Sequence, residues 1–138
     1  MQITVIHREG MSFEGIAHPG HRVVMDAAEA VGGENRGPKP GQMLLMALGG
    51  CTGMDVVSLL RKFGVTWKKF VIELEGEFNS EHPRYLKKVN LLYRFRTEGG
   101  EPEKFKLAVQ KSMEKYSVVR HSLKAEVEWR VEVNGEIV

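Results

Sequence analysis

The sequence predicts an α+β fold in which antiparallel sheets pack with two main helices. Three features predict it: one long apolar stretch with helical end signals, two long segments in which apolar and charged residues alternate, and a similar segment near the C terminus. The 138 residues are expected to form a single domain, residues 1–138, because this length suits one hydrophobic core.

Short strands are expected at the start of the chain, from Ile3 to His7 and from Arg22 to Met25. Glycines and the Pro19-Gly20 pair interrupt them, which favours a small meander. The segment 31–40 that follows contains three glycines and two prolines. This composition is typical of a structured loop, because glycine and proline end regular elements.

The long helix is predicted from about Pro40 to Lys62. Pro40 suits a first helical turn because the N–H that it lacks has no intrahelical partner there. Gly64, after two basic residues, is a C-terminal signal. Apolar residues cover most of the helix circumference, as in a helix buried on all sides. Because a chain this small can hardly cover such a helix, we expect a second subunit to do so.

The rest of the chain predicts a long hairpin, a helix and a last strand. Period-two alternation predicts strands from Phe70 to Phe78 and from Tyr85 to Phe95. A second helix is expected from about Glu101 to Lys115, since proline and glutamate open it and apolar residues mark one face. The final strand runs from Ala125 to Val133, and Asn134-Gly135 favours a tight turn after it.

Composition excludes several classes of protein. The net charge is +2, from 20 basic and 18 acidic residues, which is too weak to indicate a nucleic-acid binder. The uncharged stretch from Pro40 to Met54 is shorter than the roughly 20 apolar residues of a membrane span, and residues 1–10 do not resemble a signal peptide. A single cysteine excludes an intrachain disulfide and a cysteine-pair zinc site. We therefore expect a cytoplasmic protein with no membrane partner, metal or cofactor.

Cys51 is the main candidate for chemistry. It is predicted in mid-helix after Gly49-Gly50, and each glycine costs a helix roughly 1 kcal/mol relative to alanine. Close approach of another backbone or of a ligand is the usual reason for such glycines. Two interpretations are open: a buried cysteine that packs as a small hydrophobe, and a thiolate nucleophile with a nearby cation.

The histidines add little. His7 or His121 would serve as a base for Cys51 if the fold brought either one close, which the sequence does not reveal. His18 and His21 lie three residues apart in a turn, but no further ligands accompany them, so we predict no metal site.

Residues 32–51, Gly-Gly-Glu-Asn-Arg-Gly-Pro-Lys-Pro-Gly-Gln-Met-Leu-Leu-Met-Ala-Leu-Gly-Gly-Cys, resemble the OsmC/Ohr family of osmotically inducible and organic hydroperoxide resistance proteins. The loop, the proline that opens the helix and the small residues before the cysteine carry the resemblance. The order of elements agrees with that family over essentially the whole chain.

The resemblance implies an interwoven homodimer and a role in oxidative-stress defence, the thiol-dependent reduction of organic hydroperoxides. Cys51 matches the family's peroxidatic cysteine. Arg8 resembles the arginine between the first two strands, which would stabilise the thiolate. In the family a second cysteine condenses with the sulfenic acid, and an external dithiol then resets the site.

The chain departs from the family pattern at two positions. Ser117 stands where the resolving cysteine is expected, so an intrachain two-cysteine cycle is impossible. Gly41 and Gln42 stand where the catalytic carboxylate is expected, and a glutamine forms hydrogen bonds but cannot hold an arginine by charge. Gln42 and Ser117 are therefore candidate pocket residues.

Three functions follow as hypotheses. The first is a peroxidase that acts through Cys51 and takes its resolving thiol from outside the chain. The second is a non-catalytic module that binds a small apolar ligand, with Cys51 as packing. The third is another thiol chemistry at Cys51, such as hydrolysis or sulfur-group transfer, which would need a base within hydrogen-bond reach.

Overall fold

The computed structural model describes all 138 residues, which form two compact units, residues 1–46 and 47–138. The first unit contains a three-stranded antiparallel meander in the order β1-β2-β3, with strands at Ile3–His7, Phe13–Ala17 and His21–Met25. The predicted meander is therefore confirmed. That the whole chain acts as a single domain stays a prediction.

The glycine- and proline-rich loop of the first unit folds around one carboxylate. Asp26 is buried, and its side chain accepts hydrogen bonds from the backbone N–H groups of Ala27 at 2.8 Å, Glu34 at 3.1 Å and Arg36 at 3.2 Å. The Glu34 N–H contributes most to lowering the pKa of Asp26, because these donors favour the charged carboxylate. The loop is thus an ordered structure held by hydrogen bonds to Asp26, as its composition predicts.

The long helix α1 spans Pro40–Lys62 and agrees with its predicted bounds. It ends at Gly64, whose φ of 70° is the left-handed conformation that glycine adopts readily. By length and composition it could cross a membrane, but the core helices of soluble proteins meet the same criteria. Its buried residues are Leu48, Gly49, Thr52, Val56, Leu59 and Leu60, whereas three apolar side chains remain exposed, namely Leu44, Met46 and Met54.

The second unit contains a four-stranded sheet in the order β4-β5-β6-β7. Its strands are Lys69–Phe78, Leu86–Arg96, Glu126–Val133 and Glu136–Ile137. Asn134 and Gly135 both have positive φ in the turn before β7, as the sequence predicts.

One ladder of this sheet differs from the antiparallel expectation, because β5 and β6 pair in parallel. The chain between them is long and helical, and such a crossover connection returns the next strand in the same direction. Alternation along a strand reveals which residues share a face but not the direction of the neighbouring strand.

Both helices cover the same face of this sheet. Phe105 of the second helix lies 4.6 Å, between ring centroids, from Phe95, which in turn stacks on Phe70 at 4.3 Å. On α1, a Cβ added at Gly49 would lie 2.9 Å from a methyl carbon of Leu74. Gly49 therefore lets the helix approach the sheet closely, which accounts for one of the two glycines before Cys51.

The second helix is shorter than predicted. Helix α2 spans Pro102–Lys111, and the chain continues as one π-helical turn over Ser112–Tyr116. A short helix, α3, then spans Val118–Ser122, in a region for which the sequence predicted no element. The apolar pattern continues across the boundary between α2 and the π turn, so periodicity does not reveal where the hydrogen bonding changes.

Gly33→Ala should destabilise the protein. A Cβ at Gly33 would lie 1.8 Å from the backbone oxygen of Ala27, and a backbone atom cannot swing aside as the end of a side chain can. We expect the free energy of unfolding to fall by about 1–3 kcal/mol. Chemical denaturation measures this change. Gly20→Ala is the control, because nothing lies within 4 Å of a Cβ there. Equal stability of the two variants would contradict the proposed role of Gly33.

Candidate active site

Cys51 lies on α1 and is partly buried. The hydroxyl of Ser117 donates a hydrogen bond to its sulfur, with 3.5 Å between Oγ and Sγ. The helix surface next to the cysteine is open: nothing lies within 4 Å of a Cβ placed at Gly50, and Met54 is 74% exposed. The sulfur thus has a polar contact on one side and exposed apolar neighbours along its own helix.

The π turn places Ser117 at the sulfur. The backbone N–H of Ser117 donates to the carbonyl of Ser112 at 2.9 Å, which closes the wide turn, and α3 begins directly afterwards. Ser117 is fully buried, and its hydroxyl oxygen also accepts a hydrogen bond from the backbone N–H of Arg120 at 3.2 Å. It therefore caps α3 while it contacts Cys51.

Three hydrogen-bond donors lower the pKa of the Cys51 thiol. The backbone N–H of Val119 contributes most, followed by the Ser117 hydroxyl, and the N–H of Val118 adds to them. Burial and the charge of Asp55 oppose this effect. Donors to a sulfur favour its charged form, so the arrangement increases the fraction of Cys51 that is thiolate at a given pH.

A buried polar network lies beside the cysteine. The Ser112 hydroxyl is 3.2 Å from both the Asp55 carboxylate and the Thr52 carbonyl, and it has one proton to share between them. The Tyr93 hydroxyl donates to the Thr52 hydroxyl at 2.7 Å. Burial raises the pKa of Tyr93 to about 12, so its phenol is neutral at physiological pH.

The other candidates, Arg8 and Gln42, have partners within residues 1–46. Arg8 forms an ion pair with Glu14 at 3.1 Å, and Arg22 binds the same carboxylate. The Gln42 side-chain oxygen accepts a hydrogen bond from the backbone N–H of Lys39 at 2.9 Å. This contact is half of a capping box and stabilises the start of α1. The predicted roles of these two residues in catalysis stay predictions.

The structure brings Cys51 and Ser117 together but gives the sulfur no hydrogen bond from a histidine. The ring of His7 is hydrogen bonded to the carbonyl of Gly10 at 2.7 Å, and His121 is exposed on α3. The donors that act on Cys51 are a hydroxyl and backbone N–H groups, not the cation that the sequence argument required.

Sequence reasoning missed most of the polar network. Asp55 could have been predicted from the sequence. This residue follows Cys51 by four positions on a confirmed helix and so lies on the same helix face. The N–H groups of Val118 and Val119 could not, because every residue carries one, and these two are free to act on the sulfur because they begin α3. Thr52, Ser112 and Tyr93 have no spacing that marks them as a group.

The comparisons with known proteins agree with this architecture. The sequence profile of the OsmC-like protein family matches residues 32–132. Protein YhfA of Escherichia coli strain K12 is 34% identical over 119 residues, which is 86% of each chain.

Solved structures of lower identity share the fold. An OsmC-like protein of Mycoplasma pneumoniae has a TM-score of 0.80 at 16% identity, with 96% of this chain and 95% of that one covered. A Vibrio cholerae protein assigned to organic hydroperoxide resistance, with captopril bound in one of its active sites, has a TM-score of 0.71 at 15% identity, with coverage of 100% and 94%. On the family profile and the 34% identity to YhfA, the chain belongs to the OsmC-like protein family.

Proposed function

We propose that this protein reduces organic hydroperoxides through Cys51 and takes its resolving thiol from outside the chain. The observation that carries the proposal is the set of donors around the sulfur, the Ser117 hydroxyl and the N–H groups of Val118 and Val119. They supply what a thiol peroxidase needs, a stabilised thiolate open to the surface. The relatives assigned to organic hydroperoxide resistance support the choice of substrate.

In the first step the Cys51 thiolate attacks the terminal oxygen of the hydroperoxide. The S–O bond forms as the O–O bond breaks, so the sulfur is oxidised by two electrons and the peroxide is reduced. The leaving alkoxide takes up a proton and departs as the alcohol. Cys51 is left as a sulfenic acid.

The second step needs a thiol from another molecule. Cys51 is the only cysteine, and the residue in contact with its sulfur is a serine, whose hydroxyl does not form a disulfide. An external thiol attacks the sulfenic sulfur, water leaves, and a mixed disulfide forms. A second external thiol then releases the Cys51 thiol and carries away the disulfide.

The surroundings of Cys51 favour a substrate with an apolar substituent. Ala47 and Met54, four residues before and three residues after Cys51, neighbour it on the helix surface, and both are exposed. Such a surface binds hydrocarbon better than it binds hydrogen peroxide, because contact with an apolar group removes apolar area from water.

The proposed active form is a cytoplasmic homodimer. Leu44 and Met46, in the first half of α1, stay exposed and continue the apolar circumference that the sequence predicted. A second copy of the chain would remove this surface from water, which is the driving force of most subunit association.

The alternative is a non-catalytic module that binds a small apolar ligand, or another thiol chemistry at Cys51. The observation that favours it is the use of Gln42, since the side chain nearest to the expected carboxylate position caps α1 through the N–H of Lys39. In that case the hydrogen-bond donors around Cys51 would have a structural role only. A ligand would then stabilise the protein against unfolding without being consumed.

Purified protein supplied with dithiothreitol should consume cumene hydroperoxide, and Cys51→Ser should abolish the turnover. The reason is that a serine hydroxyl, with its far higher pKa, provides no comparable nucleophile. Loss of peroxide and formation of the alcohol are measured together. If the protein folds but consumes no peroxide, and the thiol stays titratable afterwards, the proposal is wrong and the binding module is preferred.

Ser117→Cys provides a matched variant for the resolving step. It places a second thiol next to Cys51, so one equivalent of hydroperoxide should remove both free thiols without an external reductant. The unaltered protein, treated in the same way, should accumulate a sulfenic acid that a dimedone probe traps.

The dimer is tested by light scattering coupled to size-exclusion chromatography. We expect twice the mass of the 15.6 kDa chain. Met46→Glu should shift the equilibrium towards the monomer, because it places a charge on the apolar surface of α1, where Met46 is 58% exposed. Lys62→Glu, a charge change at the exposed end of the same helix, should leave the mass unchanged. A monomer in the unaltered protein at micromolar concentration would refute the dimer.

A further inference from the structure

We propose that Ser112 and Asp55 are positioning residues that regulate the reactivity of Cys51, with opposite effects. The Ser112 hydroxyl holds the π turn so that the donors reach the sulfur of Cys51. The negative charge of the Asp55 carboxylate, by contrast, disfavours the thiolate form of Cys51. This inference rests on the proposed function, because it concerns the same cysteine. It means that two side chains of the protein itself determine how much of Cys51 is present as thiolate.

Two contacts between side chains connect α1 to residues 112–117. At one end Ser117 donates to the sulfur of Cys51 at 3.5 Å, and at the other Ser112 donates to the carboxylate of Asp55 at 3.2 Å. Cys51 and Asp55 are four residues apart, one turn of an α-helix. Ser112 and Ser117 are five residues apart, the span of the 2.9 Å bond that closes the π turn. The wider turn thus brings both serines to successive turns of α1.

Ser112 is well placed to hold this register. It is fully buried, and its hydroxyl also reaches the carbonyl of Thr52 at 3.2 Å. Thr52 is held in turn by the buried phenol of Tyr93 at 2.7 Å. A buried hydroxyl with two acceptors in reach, the carbonyl of the buried Thr52 and the half-buried Asp55 carboxylate, defines the position of the turn more narrowly than an exposed contact would.

Asp55 acts on the sulfur in the opposite sense. A carboxylate four residues from a cysteine on one helix lies near it and disfavours a second negative charge, which raises the pKa of the Cys51 thiol. Tyr93 is neutral, so it adds no charge. The segment packed against α1 carries further charged or titratable groups on its exposed or half-buried side chains, namely Glu114, Lys115, Tyr116, Arg120 and His121.

The test is the pH profile of Cys51 alkylation by iodoacetamide in the full chain, which reports the inflection pH of the thiol. Ser112→Ala should move the inflection to higher pH and slow alkylation at pH 7 by at least about threefold, because the donors lose their register. Asp55→Asn keeps an acceptor for Ser112 but removes the charge. It should move the inflection to lower pH and speed alkylation below the inflection by about twofold.

Two further variants make the result specific. Ser117→Ala removes a direct donor, so it should shift the profile in the same direction as Ser112→Ala. Thr97→Ala removes another buried hydroxyl of the same unit, which donates to the carbonyl of Thr66 and has no bond in the Cys51 network, so its profile should not move.

A folded Ser112→Ala protein with an unchanged inflection overturns the proposal, as does an Asp55→Asn inflection at higher pH. If Ser112→Ala fails to fold, the direction of the Asp55→Asn shift decides whether the charge effect is supported or rejected. Ser112→Thr then tests the positioning effect, because it keeps the hydroxyl: an unchanged inflection pH supports that effect, and an inflection at higher pH rejects it. Alkylation requires no peroxide, so failure of this inference is distinguishable from absence of peroxidase turnover.

Discussion

The hydrogen bond that closes the π turn, from the Ser117 N–H to the Ser112 carbonyl, is the contact on which the candidate site depends. An uninterrupted α-helix would place Ser117 elsewhere on the helix surface, because each residue would advance by the usual angle. The wider turn, followed at once by α3, aims a hydroxyl and two backbone N–H groups at one sulfur. Single π turns inside helices are often associated with functional sites, and here the local geometry explains why.

A cysteine at position 117 could both donate a hydrogen bond to the Cys51 sulfur and form a disulfide with it, whereas Ser117 can only donate the hydrogen bond. A hydroxyl stabilises a thiolate by donating a hydrogen bond, and it remains chemically inert when that thiolate is oxidised. A thiol there would resolve the sulfenic acid inside the chain. In the proposed peroxidase, serine would keep the hydrogen bond that stabilises the thiolate and leave resolution to a thiol from solution, so turnover would depend on the thiols available around the protein.

The helix that carries Cys51 meets two demands. On one side its small residues, Gly49 and Gly53, allow close contact with Leu74 and Ile72 of β4. On the other, Gly50 and Met54 remain open to solvent. The glycines weaken the helix locally, and the burial of Leu48, Val56 and Leu60 offsets that cost through apolar contact. The cysteine thus lies at the boundary between the core and an open apolar surface.

The sequence by itself determined the order of the main elements, the bounds of α1 and the identity of the candidate reactive residue. These follow from short-range physics: proline and glycine end helices, alternation marks strands, and a single cysteine leaves one choice. Only the tertiary structure decided the parallel pairing of β5 with β6, the π turn and the donors at Cys51. Backbone N–H groups are present at every residue, so their aim depends on long-range packing that no local pattern encodes.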